Sequence, residues 1–316
     1  MGTIFTLDIY ARDEPSAAQL SQDAFDVIDR IDEELSNYMP SSELSRISRD
    51  AGSHPVTTDP ETFAFIERSL YWSRESNGAF DITVGPLLRA WGFFFHSGRV
   101  PSDAELLALR DKIGWRNIML DSTTRTVRFR NGMPMDLDPG SIGKGFAVDR
   151  AVARLREDGV TAALLSAGGS TLYAIGAPPG EFGWPVLVPD PHKAGAVASK
   201  VLLKDESLST GACTEKFFIH DGHRYCHIFN PHTMRPVEGM LQTTVIDPSA
   251  TDSDALSTVA FVLTPAESKE FFSALPRTRM LLFTQTPNPG CLAVHWPESP
   301  CPDVKLRPHK KVSPRE

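Results

Sequence analysis

The sequence predicts an α+β fold, a single compact unit of two interlocked halves with mixed or antiparallel sheets and a ligand between the halves. Three observations lead there. Apolar residues recur at helical spacing over 17–36, 60–76 and 143–158. Short strand-like runs crowd the stretch from 162 to 246. The two kinds of element alternate without the regular strand–helix–strand rhythm of a doubly wound sheet.

The elements follow in order. Met1-Gly-Thr-Ile-Phe-Thr-Leu-Asp-Ile has alternating faces and reads as a strand rather than an export signal. The fold is thus expected to begin at residue 1, with an earlier export segment left open. Leu20, Ala24, Val27, Ile28, Ile31 and Leu35 mark the first helix. A turn and a polar stretch, Asn37 to Arg46, come next. A second helix covers 60–76, a strand-like or turning segment 78–86, and a short helix 102–111. Two short strands fall at 117–121 and 125–130. The helix over 143–158 turns Ala147, Val148, Ala151, Val152 and Leu155 to one face. Ala162–Ala167 is a buried strand. Further strands are expected near 171–175, 184–188, 197–203, 217–219, 224–228 and 241–246. Helices at 252–263 and 266–273 and strands at 279–284 and 291–295 complete a domain over 1–296. The polar, proline-bearing segment 297–316 reads as a loose tail.

Composition excludes several classes. A formal net charge of −8 argues against nucleic acid as the main partner. No apolar run reaches membrane-spanning length. The four cysteines, at 213, 226, 291 and 301, have no zinc spacing and form no CxxC pair. Cys291 and Cys301 are close enough to close a short disulfide loop in an oxidising compartment, although buried free thiols are the expectation.

The most informative run is Asp136 to Asp149, with Gly140, Ser141, Gly143 and Gly145 around Lys144 and a helix directly after. Glycines admit close backbone approach, and a helix start offers free N–H groups to phosphate. The glycine spacing matches neither a Walker loop nor the dinucleotide fingerprint. The run is a phosphate-ligand site or a glycine-rich turn before a helix.

Asp254 and Thr258 stand four apart on a predicted helix, so their oxygens share one face and suit a hard cation such as Mg²⁺. Asp252 or Asp254 would equally serve as a helix cap. His227, on a strand running into a turn, is an acid/base or a structural histidine. Ser209-Thr-Gly-Ala212 follows a strand and either presents hydroxyl and N–H groups to phosphate or is an ordinary turn. Gly168 and Gly169 allow close approach or a tight turn. Tyr38 and the run Trp91 to Phe95 stack on a planar ring or fill the core. Asp81 orients a ligand or caps a turn.

The order of these segments along the chain resembles the ApbE family of FAD:protein FMN transferases, from residue 1 to about 285. It rests on Leu35-Ser-Asn-Tyr38, Gly78-Ala-Phe-Asp-Ile-Thr-Val-Gly-Pro-Leu87, Asp138-Pro-Gly-Ser-Ile-Gly-Lys-Gly145, Ala167-Gly-Gly169, Ser209-Thr-Gly211, His227-Ile-Phe-Asn-Pro231 and Asp254-Ala-Leu-Ser-Thr258. The resemblance implies Mg²⁺-dependent transfer of the FMN half of FAD to a Thr or Ser hydroxyl of an acceptor flavoprotein in an electron-transfer system, with release of AMP. It also admits a FAD pyrophosphatase giving FMN and AMP. A third reading is a protein that binds FAD without turnover. It implies metal ligation by Asp254, Thr258 and a backbone carbonyl at Gly143. Ser141, Lys144, Gly145, Gly168, Gly169 and Thr210 would line the FAD pocket, Tyr38 and Asp81 would lie near flavin or adenine, and His227 beside the transferred phosphate. His227, Asp254 and Lys144 are the implied catalytic group. Members are often periplasmic or membrane-tethered, and a cytoplasmic site is the alternative here. The chain departs from the family's usual pattern at Gly143, where Ala is common, at Ala212-Cys213, and at Met234, where a turn glycine is usual.

Overall fold

The structure is a computed structural model that describes residues 2–95, 97–130, 132–214, 216–285 and 290–301. The chain opens on β1 (Phe5–Ile9) and α1 (Glu14–Leu35). The helix starts ahead of its apolar period because Asp13 caps it, accepting from the Ser16 N–H, with Pro15 in its first turn. Ala24, Ile28, Ile31 and Leu35 form its buried face. α2 (Glu43–Asp50) occupies the stretch that reads as polar. Ser42 caps it, and only Leu44 and Ile47 enter the core, too few to set a visible period. β2 (Val56–Thr57) and α3 (Pro60–Glu75) follow.

The 78–86 run is a turn: a 3₁₀ segment at Ile82–Val84 leads into α4 (Gly85–Ala90). Gly85 is needed there, because a β-carbon would collide with the Asp136 backbone carbonyl. α5 (Asp103–Leu109) carries a capping box between Ser102 and Glu105. β3 (Ile118–Asp121) and β4 (Thr126–Phe129) join β2 in a three-stranded sheet ordered β2-β4-β3.

The second half contains α6 (Gly143–Glu157), β5 (Ala163–Ala167), β6 (Thr171–Ile175), β7 (Trp184–Pro189), β8 (Val197–Leu203) and β9 (Glu206–Ala212). Then come β10 (Phe217–His220), β11 (His223–Cys226), β12 (Phe229–Asn230), β13 (Arg235–Pro236) and β14 (Met240–Asp247). α7 (Ala250–Val262), α8 (Pro265–Ser273), β15 (Arg279–Thr284) and β16 (Gly290–Val294) complete it. The central sheet has seven strands in the order β1-β5-β6-β9-β14-β15-β16. Every neighbouring pair is antiparallel, so the fold is α+β without a parallel pairing among the described strands.

One face of this sheet packs on α6 and α7, and with α1 and α3 they enclose the main core, which includes Phe146, Val148, Val259 and Phe261. The β7–β8 ribbon covers the other face, where Trp184, Val188, Val201 and Leu203 meet Leu208, Ile246 and Leu281. A smaller cluster of Leu87, Trp91, Leu106, Phe229 and Met234 sits beneath α4 and α5.

Three sequence expectations change. Ser209 to Ala212 is not a turn but the end of central strand β9. Its inward positions Ser207 and Ser209 are hydroxyl-bearing, which hides the apolar alternation of a buried strand. The cysteines are not free thiols. Cys213 pairs with Cys226 at a Cα separation of 5.4 Å, and Cys291 with Cys301 at 5.2 Å. The second bridge ties the chain at Cys301 back to β16, while residues 302–316 lie outside the described residues. Finally, Met234, where the resemblance leads to an expected turn glycine, adopts the left-handed conformation itself. Its φ is +57°, its N–H donates to the Asn230 carbonyl at 2.8 Å, and its side chain is buried beside Trp91. Apolar burial offsets the roughly 1–2 kcal/mol of left-handed strain.

Candidate active site

The site forms where the starts of α6 and α7 meet the β6–β9 part of the sheet. Asp254 is its centre and is almost fully buried. It does not cap α7. Ser249 does that, accepting from the Asp252 N–H at 3.2 Å. Asp252 points away, paired with Arg68 and accepting from Trp72 Nε1 at 2.7 Å. Asp254 Oδ2 accepts from the Gly145 N–H at 3.0 Å. Its Oδ1 accepts from Lys144 Nζ, Thr171 Oγ1 and Ser209 Oγ, each at 3.2 Å.

Gly145 makes that arrangement possible. A β-carbon there would run into the Ala250 carbonyl oxygen and lie 2.8 Å from Asp254 Cβ. Asp149, on the same helix, clamps the start of α7: its carboxylate accepts from Ala250 and Thr251 N–H at 2.8 and 2.9 Å and from the Ser249 and Thr251 hydroxyls. The two helices are thereby locked in register, which fixes Asp254 over the start of α6. The helix has no cap of its own, since Ile142 at its N-cap offers no side-chain acceptor, and the Asp254 carboxylate supplies one through the Gly145 N–H. A helix start beside an ammonium favours negative charge, here that carboxylate and a phosphate next to it.

The preceding turn is held by Asp138. It accepts from Gly140 N–H at 2.8 Å and from Asn37 Nδ2 at 2.6 Å, and burial pushes its carboxyl above the usual carboxylate range. The Pro139 carbonyl accepts from Gly143 N–H at 2.7 Å, and Ser141 lies half-buried in the turn. Asn37 brings Tyr38 alongside. Tyr38 is 60% exposed and stacks on Phe94 with ring centroids 4.5 Å apart, while Arg89 covers Phe94 at 3.7 Å. Trp91 is instead fully buried core.

His227 directly follows β11, near enough to Lys144 for that ammonium to act on its charge. Its Nδ1–H donates to the Lys216 carbonyl at 2.9 Å, which leaves Nε2 with the lone pair. Burial pulls its pKa down to about 4, helped by the Lys216 and Lys144 ammoniums and opposed by the bond to that carbonyl. The imidazole is therefore neutral at ordinary pH, with the Nε2 lone pair open.

Other predicted residues are placed differently. Gly168 and Gly169, with φ of +61° and +67°, make the β5–β6 turn that delivers Thr171 to Asp254. Thr210 alternates to the sheet face opposite Ser209 and pairs with Thr244 Oγ1 at 3.1 Å. Ser209, rather than Thr210, carries the hydroxyl that meets Asp254. Asp81 is buried with both oxygens engaged: Oδ1 accepts from the Thr83 N–H and hydroxyl, and Oδ2 from the Trp115 N–H. It caps the 3₁₀ turn beside a cavity of about 240 Å³ that also takes in Trp115 and His232, and its carboxylate is not part of the Lys144–Asp254 group. A larger groove of about 860 Å³, lined by Arg68, Tyr71, Arg74 and Arg150, contains none of the predicted residues.

Thr171 and the Lys216 carbonyl are groups that the sequence did not point to, and within the Ser209–Ala212 run it pointed to Thr210 where Ser209 is the residue on Asp254. The alternation of Ser207 and Ser209 about Leu208 is the available signal for β9, a faint one among Lys204, Asp205, Glu206 and Thr210. A backbone carbonyl leaves no signal at all. Thr258 lies one turn beyond Asp254, half-buried. Among the described residues no three His, Cys, Asp or Glu side chains cluster as a metal cage. Asp254 is a single carboxylate with the Thr171 and Ser209 hydroxyls on Oδ1, and carboxylate and hydroxyl oxygens are the donor types of a hard cation that keeps other positions for water and substrate phosphate. Lys144 already places one positive charge on Asp254.

Known proteins resemble this chain in sequence and in fold. The model of the ApbE family matches residues 1–282. The FAD:protein FMN transferase of Klebsiella pneumoniae (strain 342) is 31% identical over 265 residues, covering 83% of this chain and 80% of that protein. The FAD:protein FMN transferase of Escherichia coli (strain K12) is 29% identical over 275 residues, covering 85% and 78%. The solved structure of the ApbE protein from Thermotoga maritima MSB8 superposes with a TM-score of 0.80 at 27% identity, covering 89% of this chain and 94% of that one. The match of sequence and of fold runs through every element that builds the site, and the chain belongs to the ApbE family.

Proposed function

We propose that this protein is an FAD:protein FMN transferase that moves the FMN half of FAD to a Thr or Ser hydroxyl of an acceptor flavoprotein and releases AMP. The observation that carries the reading is the convergence of Lys144, the start of α6 and the Asp254 carboxylate on one spot. That combination suits a pyrophosphate held with a hard cation. The names of the relatives support the same chemistry.

Each residue has a defined task. Lys144 offsets pyrophosphate charge. The exposed ring of Tyr38, backed by Phe94, offers a stacking surface to the isoalloxazine. Asp254, Thr258 and the Gly143 carbonyl would hold Mg²⁺. Bound there, the ion would neutralise charge developing on the phosphates. His227 Nε2 takes the proton of the acceptor hydroxyl as its oxygen bonds to the FMN-side phosphorus and the bond to the AMP oxygen breaks. Because His227 is neutral down to about pH 4, kcat/KM is expected to stay flat through pH 6.5, where an ordinary histidine would already be half protonated. The two disulfides suit an oxidising, extracytoplasmic location. No helix among the described residues is long and apolar enough to cross a membrane.

The test is chromatography of nucleotides from FAD with Mg²⁺, with and without an acceptor flavoprotein domain, and again with EDTA. AMP release that requires acceptor and is lost with EDTA is expected. Equal AMP and FMN without acceptor would replace the transferase with a pyrophosphatase. Intact FAD in every mixture would leave only a binding protein.

A further inference from the structure

The base His227 is held by a single carbonyl. Both its backbone N–H, at 3.3 Å, and its Nδ1–H, at 2.9 Å, donate to the oxygen of Lys216. Lys216 belongs to the segment that leaves β9 and enters the β10–β11 hairpin, and it directly precedes the Phe217↔Cys226 pair at the foot of that hairpin. The same segment begins at Cys213, whose sulfur bonds to Cys226, the residue before His227. Both cysteines are buried. Upstream of Cys213, β9 carries Ser209 and so reaches Asp254. One covalent bridge therefore links the strand that supports Asp254 to the strand end that presents His227.

We infer that the Cys213–Cys226 disulfide is a positioning element of the transfer reaction, fixing the Lys216 carbonyl against His227 so that Nε2 is aimed at the acceptor hydroxyl. The inference rests on the reading of His227 as the base. The alternative is that the hairpin alone sets this geometry and the bridge only adds stability.

The two accounts differ in the pH profile. The charged groups facing His227 are the ammoniums of Lys216 and Lys144, and Phe93 meets the ring on edge. With the bridge broken, the segment carrying Lys216 loosens, water reaches the imidazole and the Lys216 charge recedes. Both changes favour the protonated ring. The base then titrates near its ordinary value of about 6.5 rather than about 4. Stability alone would scale activity at every pH without moving the acid limb.

The experiment measures kcat/KM against pH for Cys213→Ser/Cys226→Ser, with Cys291→Ser/Cys301→Ser as the control that keeps the first bridge. The expected result is an acid limb raised by about two pH units, toward 6.5, with an about fourfold loss at pH 6 that deepens to roughly thirtyfold at pH 5, and with FAD affinity retained. The control keeps the parental profile. If the serine pair fails to fold, the control protein is reduced by dithiothreitol under native conditions. Each bridge broken takes two electrons and two protons and closes one dithiothreitol ring, and alkylation with mass measurement counts the thiols. A parental profile with the bridge absent overturns the inference. His227→Gln separates the two readings. If that variant transfers FMN normally, the base assignment itself fails. If it is inactive while the bridge-free protein keeps the parental profile, only the positioning role falls.

Discussion

Asp254→Asn is expected to lower the rate of FMN transfer by about 10²–10³-fold, the scale on which one preorganised electrostatic group acts in an active site. The side chain keeps its shape, so the expected loss follows from charge. In the native protein Oδ1 gathers three donors, among them the Lys144 ammonium, and Oδ2 gathers a fourth, the Gly145 N–H. An amide that keeps its oxygen on Gly145 turns its NH₂ toward Lys144, which has no lone pair to accept it. Lys144 then swings to solvent, and the one carboxylate among the proposed metal ligands is gone. Stability falls by only about 1–2 kcal/mol, because the Ser209 and Thr171 hydroxyls rotate to accept from the amide. The measurement is AMP release together with FAD affinity with and without Mg²⁺. The parent should bind FAD more tightly with Mg²⁺, and the variant should show no such dependence. A variant with near-parental turnover would remove Asp254 from the mechanism.

Gly145→Ala should be as damaging by a different route. The added methyl meets backbone, since the Ala250 carbonyl carbon would lie 2.6 Å away and the carbonyl oxygen closer still. Neither helix has room to yield, because Asp149 pins the start of α7 with four hydrogen bonds. The cost is about 3 kcal/mol, at the upper end of ordinary overpacking. What separation does occur breaks the Gly145–Asp254 bond and carries Lys144 away from the carboxylate. Gly143→Ala is the matched stability control. Its β-carbon would meet only the Pro139 ring, at 3.2 Å, and alanine is the better helix former, so unfolding free energy should change by less than about 1 kcal/mol. Denaturant unfolding of the two variants beside the parent checks the contrast. Equal effects would mean that helix propensity, rather than the close approach of α6 and α7, governs this position.

What the sequence made legible, and what it hid, follows from how each part announces itself. α1, α3 and α6 bury a broad stripe and show the period of a helix, so they are readable. α2 buries two residues and shows none. β9 is invisible as a strand because its inward side chains serve Asp254 and Ser253 as hydroxyls, so function erases the apolar signal. Asp254 and Lys144 were identifiable as candidates, yet their mutual contact spans 110 positions and no local pattern encodes it. Thr210 and Ser209 are neighbours that face opposite ways, and only the register of β9 against β14 decides which one reaches the site. Cys213 and Cys226 looked like free thiols because pairing depends on where a hairpin folds back. Met234 shows the converse: a residue that departs from the expected glycine still adopts its backbone conformation, because the buried side chain compensates.

The central claim is tested most directly by mass spectrometry of an acceptor flavoprotein domain after incubation with this protein, FAD and Mg²⁺. The account predicts an acceptor whose mass increases by one FMN phosphoester, mapped by peptide analysis to a single Thr or Ser. The adduct should be absent with Asp254→Asn or with EDTA. FAD consumed to FMN and AMP while the acceptor keeps its original mass, across acceptors that a related transferase modifies in parallel, would contradict it.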